Sequence, residues 1–172
     1  MPPQLYFFVS IAFAFIVWGI VAMRYIWPKL CLLPRAAALR PLLILHSFRF
    51  IGLAFLVQGV VSPNLPSAFA YPAAYGDIAA ATLALLSLAT LQSNAGIVIA
   101  WIFNLWGSFD LLSAFYHGAQ AGLMPGQLGA AYFIPTFFVP LMLITHVLAF
   151  RILLRHRQAA EAEKGMDLVS AH

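Results

Sequence analysis

Charge is what this sequence has least of. Only 8% of its 172 residues are Asp, Glu, Lys or Arg, against roughly a quarter in a soluble domain. So little charge cannot cover a water-facing surface on every side, and most of the chain is expected to be solvated by lipid. Between Arg49 and Arg151 there is no lysine or arginine, and the only acids in that interval are Asp77 and Asp110. There is one cysteine, Cys31, which excludes an intramolecular disulfide and a Cys-x-x-Cys redox pair. Cys31 reads as an inert interfacial thiol in a basic loop, with palmitoylation as the alternative. The two lysines, Lys29 and Lys164, fall outside the apolar segments, so a retinal Schiff base is excluded. No glutamate lies in an apolar segment, and no His-x-x-His or Glu-x-x-His pair occurs in one. Zinc and di-iron chemistry of the usual helical kind therefore has no ligands, and no metal site is expected. Gly-x-Ser-x-Gly, Walker and dinucleotide motifs are also missing, and the balance leans against an enzyme. The basic residues are not interleaved with aromatic and polar groups, which argues against nucleic acid as a partner. No internal repeat suggests an inverted-repeat transporter.

What the sequence does contain is long apolar runs. A membrane span needs about 20 mainly apolar residues. Five stretches qualify, at about residues 5–25, 42–61, 72–91, 95–117 and 131–154. The expected fold is an all-α integral membrane protein, one domain over residues 1–157 forming a five-transmembrane-helix bundle. A short polar cytoplasmic tail, 158–172, is expected to follow. Basic residues sit in two places: Arg24, Lys29, Arg35 and Arg40 after the first run, and Arg151, Arg155 and Arg157 at the end of the fifth. The positive-inside rule then puts the N-terminus outside and the C-terminus in the cytoplasm, and a bacterial inner membrane is the expected compartment. The third run carries Gly76, Ala80 and Ala84 at spacings of four, which lets helix backbones approach closely in lipid. It is expected at the bundle centre. Pro135 and Pro140 predict a kink in the outer half of the fifth span. Trp27 is expected at an interface, and Trp106 inside the bundle.

Against this background a few polar residues stand out in "LLILHSFRFIGLAFLVQGVV", Leu42 to Val61, and in the later spans. Counting about 1.5 Å per residue from the span ends, His46, Arg49 and His146 share a level in the inner half of the bilayer. Asp77, Asp110 and His117 form an outer layer, with Asn104 near mid-bilayer. Arg49 cannot lose its proton, so it must snorkel, meet a carboxylate or face water. Asp110 is the deeper acid on these boundaries and is the preferred partner. Asp77, after Gly76, reads most simply as a helix N-terminal acid, His117 as an interfacial histidine, and Asn104 as interhelical glue.

Three functions fit. The polar layers can line a pathway for a small molecule or an ion, because intramembrane charges are functional by default. Alternatively, His46 and His146 can ligate a b-type haem, with Arg49 pairing a propionate. Or the polar residues only hold together a structural or assembly partner of a larger membrane complex. The expected partner is the lipid bilayer, with a homo-oligomer or a membrane partner subunit as further candidates.

The charge pattern makes a direct prediction. In intact spheroplasts of a Cys31→Ser background, Ser67→Cys should react with a membrane-impermeant maleimide and Arg35→Cys should not. The reverse pattern would invert the topology.

Overall fold

The computed structural model describes the backbone of residues 3–170 and the side chains of residues 3–155. The expected tail, 158–172, lies outside the described side chains. The described chain is 86% helical with no strand. Five helices are long and apolar enough to cross a membrane: α1 Pro3–Leu30, α2 Arg35–Leu56, α3 Ser67–Thr90, α4 Asn94–Gln120 and α5 Ile134–Arg155.

Two of these begin before the sequence reading starts them, each for the same reason. A proline reads as a helix start because its missing N–H costs nothing in the first turn. Here Pro41 lies inside α2 and Pro72 inside α3, so α2 starts at Arg35 and not at Leu42. Each proline frees only one backbone carbonyl, a small loss where neighbouring helices cover the backbone. In α5 the prolines act more visibly. Ile134–Phe138 is a π-turn around Pro135, and both Pro135 and Pro140 are buried.

The packing follows the small residues. Ala80 and Ala84 on α3 have no exposed surface, and α3 packs against both α2 and α4. The fourth side of the square closes where α5 meets α2 and α4. Helices α2 to α5 therefore form a closed four-helix ring, and α1 lies outside it against α5. Over Pro3–Val21, α1 buries no residue. Trp106 is 43% exposed, which corrects its expected place inside the bundle: it faces outward.

Both basic clusters lie at one end of the ring. Arg155 donates to the Cys31 carbonyl at 3.0 Å, and the Arg151 guanidinium stands 4.6 Å over the Trp27 ring. At the other end, two loops are tied by backbone: Ala130 N–H donates to Val60 O at 2.8 Å and Ser62 N–H to Gln127 O at 2.9 Å. Gly129, at φ 53°, makes that approach possible; a Cβ there would strike the Val60 carbonyl.

Two apolar cores fill the ring, one nearer each end. Leu39, Leu43, Phe103, Leu148 and Ile152 belong to the basic end. Phe55, Phe69, Leu111, Leu128 and Met142 belong to the opposite end. Between these two sets fall His46 and Arg49 on α2, Asp77 on α3, Asn104 and Asp110 on α4, and Thr145 and His146 on α5.

Because α3 packs through alanines, its inner face has no spare volume. Ala80→Leu should lower stability by about 1–3 kcal/mol, the usual cost of overpacking. Leu85→Ala, at an exposed position of the same helix, should stay within about 0.5 kcal/mol. Reversible unfolding in mixed micelles compares the two.

Candidate functional site

Helix α2 changes register where its polar residues begin. After the α-helical stretch Arg35–Ser47, Phe48–Leu56 is a 3₁₀-helix. Three residues per turn place residues i and i+3 in line. His46, Arg49, Gly52 and Phe55 are spaced by three, and all four are buried. An α-helix would rotate them progressively off this line. The tighter winding thus holds a histidine, a cation, a gap and a phenyl ring on one inward seam.

Arg49 has no exposed surface. Its start in the chain explains its depth: with α2 beginning at Arg35, Arg49 is four turns from the basic end, where counting from Leu42 gives two. Its Nε–H donates to Asp77 Oδ1 at 2.7 Å and an NH2 proton to Asp110 Oδ2 at 2.6 Å. NH1 donates to the Gly107 carbonyl at 3.1 Å and approaches His146 Nε2 at 3.4 Å. One side chain therefore binds all three other helices of the ring. Three glycines make the room. A Cβ on Gly52 would strike the Asp77 carboxylate, and one on Gly76 the Asp110 carboxylate. A Cβ on Gly107 would stand 2.6 Å from His146 Nε2 and 2.8 Å from Arg49 NH1.

On the basic side of Arg49 the network continues through neutral groups. His146 Nδ1 lies 2.7 Å from Asn104 Oδ1, an acceptor, so Nδ1 carries the proton and Nε2 presents its lone pair to Arg49. Asn104 in turn donates to the His146 carbonyl at 3.3 Å. Thr145 Oγ1 donates to the carbonyls of its own helix, Leu141 at 2.9 Å and Met142 at 3.0 Å. His46 Nε2, 3.0 Å from the same oxygen, must then be the donor. That leaves His46 Nδ1 as a buried lone pair without a partner among the described residues. The two imidazoles are tilted, 4.1 Å between centroids, and Phe103 packs edge-on to His46 at 5.0 Å.

These distances merge the two polar layers into one network and correct the depth assignment. Asp77 is no N-terminal acid: α3 starts ten residues earlier, at Ser67, and Asp77 is 8% exposed. Asn104 belongs with His146. His117 stays apart, bonded at 2.8 Å only to the Ser113 carbonyl and at 3.0 Å to its hydroxyl, on its own helix. Nor do His46 and His146 fit a haem. Axial ligation puts iron and the porphyrin plane between two imidazoles. Rings this close leave no space for the plane, and each Nε2 is already engaged.

On the other side of Arg49 a cavity of about 270 Å³ opens. Asp77 and Asp110 form its floor, and Phe7, Phe55, Phe69 and Phe115 stand among its walls. The cavity was not legible beforehand, because its walls come from five helices and a loop. The glycines gave a signal: Arg49, Asp77 and Asp110 each have one within three residues, Gly52, Gly76 and Gly107.

A family model, Domain of unknown function (DUF8737), matches residues 6–154. The chain belongs to this family. The match spans the whole ring and every residue of the Arg49 network. No curated protein and no solved structure matches the chain.

A buried cation with two anions should show strong coupling. Arg49→Ala should cost about 3–5 kcal/mol by leaving buried carboxylates uncompensated. Double-mutant cycles with Asp77→Ala and with Asp110→Ala should each give a coupling energy above about 1 kcal/mol. Additive losses would show that the charges do not act as a unit.

Proposed function

We propose that this chain is an integral membrane protein, N-terminus outside, whose polar network lines an outward-opening site for a small cationic species. The Asp77–Asp110 floor of the cavity carries the reading. One guanidinium against two carboxylates leaves the network with a net negative charge, and that charge faces an otherwise apolar cavity. The membrane assignment rests on five apolar helices whose outward faces carry large hydrophobic side chains, Phe13, Ile16, Leu105 and Phe109 among them. The outward direction rests on the basic residues gathered at the end away from the cavity.

The division of labour supports a site over a purely structural cluster. Arg49 has no contact with the cavity's open volume, and its donors are spent on three helices, so it serves architecture. The aspartate side chains are each partly open, at 11% and 12% exposure. A carboxylate pair needed only to neutralise Arg49 has no reason to border a cavity. Beyond Arg49, toward the basic end, Leu43, Phe103 and Leu148 pack without exposed surface to speak of. The species entering from outside therefore meets a closed end at Arg49 in this conformation. The arrangement is that of one half of a pathway, or of a binding site that stops at mid-membrane.

The accessibility of the cavity wall tests this reading. Ala114 on α4 lines the cavity one turn beyond Asp110 and makes no side-chain hydrogen bond of its own. In a Cys31→Ser background, Ala114→Cys should react from outside with a cationic trimethylammonium methanethiosulfonate. A negative cleft raises the local concentration of cations, so the rate should exceed that of the anionic sulfonate reagent by about tenfold. Equal rates, or no reaction with either, would remove the site.

A further inference from the structure

The chemistry of the cavity narrows what it takes, if the cationic site just proposed is accepted as the starting point. We infer that it binds a primary ammonium ion carrying a compact apolar body, with the ammonium at the Asp77–Asp110 floor and the body among the phenylalanines. Four observations lead there. The first is charge: the network lacks one positive charge. The second is acceptor geometry. Asp77 uses Oδ1 and Asp110 uses Oδ2 for Arg49. The other oxygen of each, Asp77 Oδ2 beside Gly52 and Asp110 Oδ1 beside Gly76, accepts no hydrogen bond among the described residues, and both aspartates line the cavity. An ammonium head has three protons to give and needs few acceptors.

The third observation speaks against calcium or magnesium as the resident cation. Calcium asks for six to eight oxygen ligands and magnesium for a near-octahedral set. No three His, Cys, Asp or Glu side chains converge as metal ligands among the described residues, and the rest of the cavity wall, Gln4 apart, is mainly apolar. Those same walls suit an organic cation. Aliphatic and aromatic groups bury against Phe7, Phe55, Phe69 and Phe115, and phenyl faces attract a cation held near them.

The fourth observation is size. The volume of about 270 Å³ equals that of roughly nine water molecules at about 30 Å³ each. A ligand of roughly nine non-hydrogen atoms fills it. A phenylethylammonium or octylammonium ion has that size, whereas a lipophilic cation such as tetraphenylphosphonium is far too large.

Isothermal titration of the purified full chain in phosphatidylcholine nanodiscs, with empty nanodiscs as blanks, tests the inference. The probes are 2-phenylethylammonium, its neutral counterpart 2-phenylethanol, and tetraphenylphosphonium, all at neutral pH. The ammonium should bind about tenfold more tightly than the alcohol, equivalent to about 1.4 kcal/mol, and the phosphonium should not bind. Asp110→Asn should erase the preference for the ammonium. Should that variant fail to fold, Ala114→Phe decides: it adds a phenyl ring to the cavity wall one turn beyond Asp110 while keeping Arg49 and both aspartates in the chain, and should weaken ammonium binding by about tenfold or more. Equal binding of ammonium and alcohol, or ammonium binding indifferent to Ala114→Phe, overturns the inference. If the thiol reagents still show cationic preference at residue 114, only the ligand class is wrong. If that preference is missing too, the cationic site itself is wrong.

Discussion

A guanidinium that cannot discharge, placed four turns deep in a bundle of apolar helices, dictates the middle of this protein. Burying an ion without compensation costs several kcal/mol, so the fold must bring anions and acceptors to Arg49 from wherever the chain has them. It does so from all sides of a closed ring. One carboxylate comes from α3, another from α4, a carbonyl from α4 and an imidazole from α5. The exchange is mutual. The carboxylates would be as costly as the arginine if left alone, and the network is worth more for registry than for net stability. Apolar contacts alone specify little about how far one helix slides along another, and a set of hydrogen bonds fixed to one point sets the position of each helix along its axis.

Backbone geometry bends to the same requirement. Charged side chains are bulky, and four helices packed through alanine leave no space for them. Glycine supplies it at Gly52, Gly76 and Gly107, each facing a charged or ring group of a different helix. The 3₁₀ stretch of α2 adds alignment, since only a three-residue period keeps His46, Arg49, Gly52 and Phe55 on one seam. A 3₁₀ run of this length has poorer hydrogen bonds than an α-helix. Its persistence here is understandable if the seam's contacts more than offset that loss.

The number of apolar helices was legible because hydrophobic length is read without knowing neighbours. Helix starts were not, because Pro41 and Pro72 carry the same local signal inside a helix as at its beginning. That error propagated to the site. Starting α3 at Pro72 makes Asp77 a first-turn acid, whereas starting it at Ser67 buries Asp77 opposite Arg49. Starting α2 at Leu42 puts Arg49 within snorkelling reach of the cytoplasmic face. The need for an anion followed from Arg49 alone, but the second anion required correct depths. Thr145 as partner of His46, and the split between a tightly filled basic side and an open acidic side of Arg49, depend on packing between helices distant in sequence. Single residues such as Trp106 were misplaced because an isolated indole is equally at home against lipid and against protein.

The position of α1 has a consequence for the cavity. Helices α2, α3 and α4 each pack on the helix next in sequence, whereas α1 packs on α5. It buries nothing of its own over Pro3–Val21, and among the described residues its side-chain hydrogen bonds to the rest of that end are two, Ser10 with the Tyr132 hydroxyl at 3.5 Å and Gln4 to the Met124 sulfur at 3.4 Å. Phe7 and Phe8 of α1 complete the wall above the aspartates, so the cavity acquires that side only when α1 docks on α5. The helix that closes the cavity is thus the one least secured to the ring.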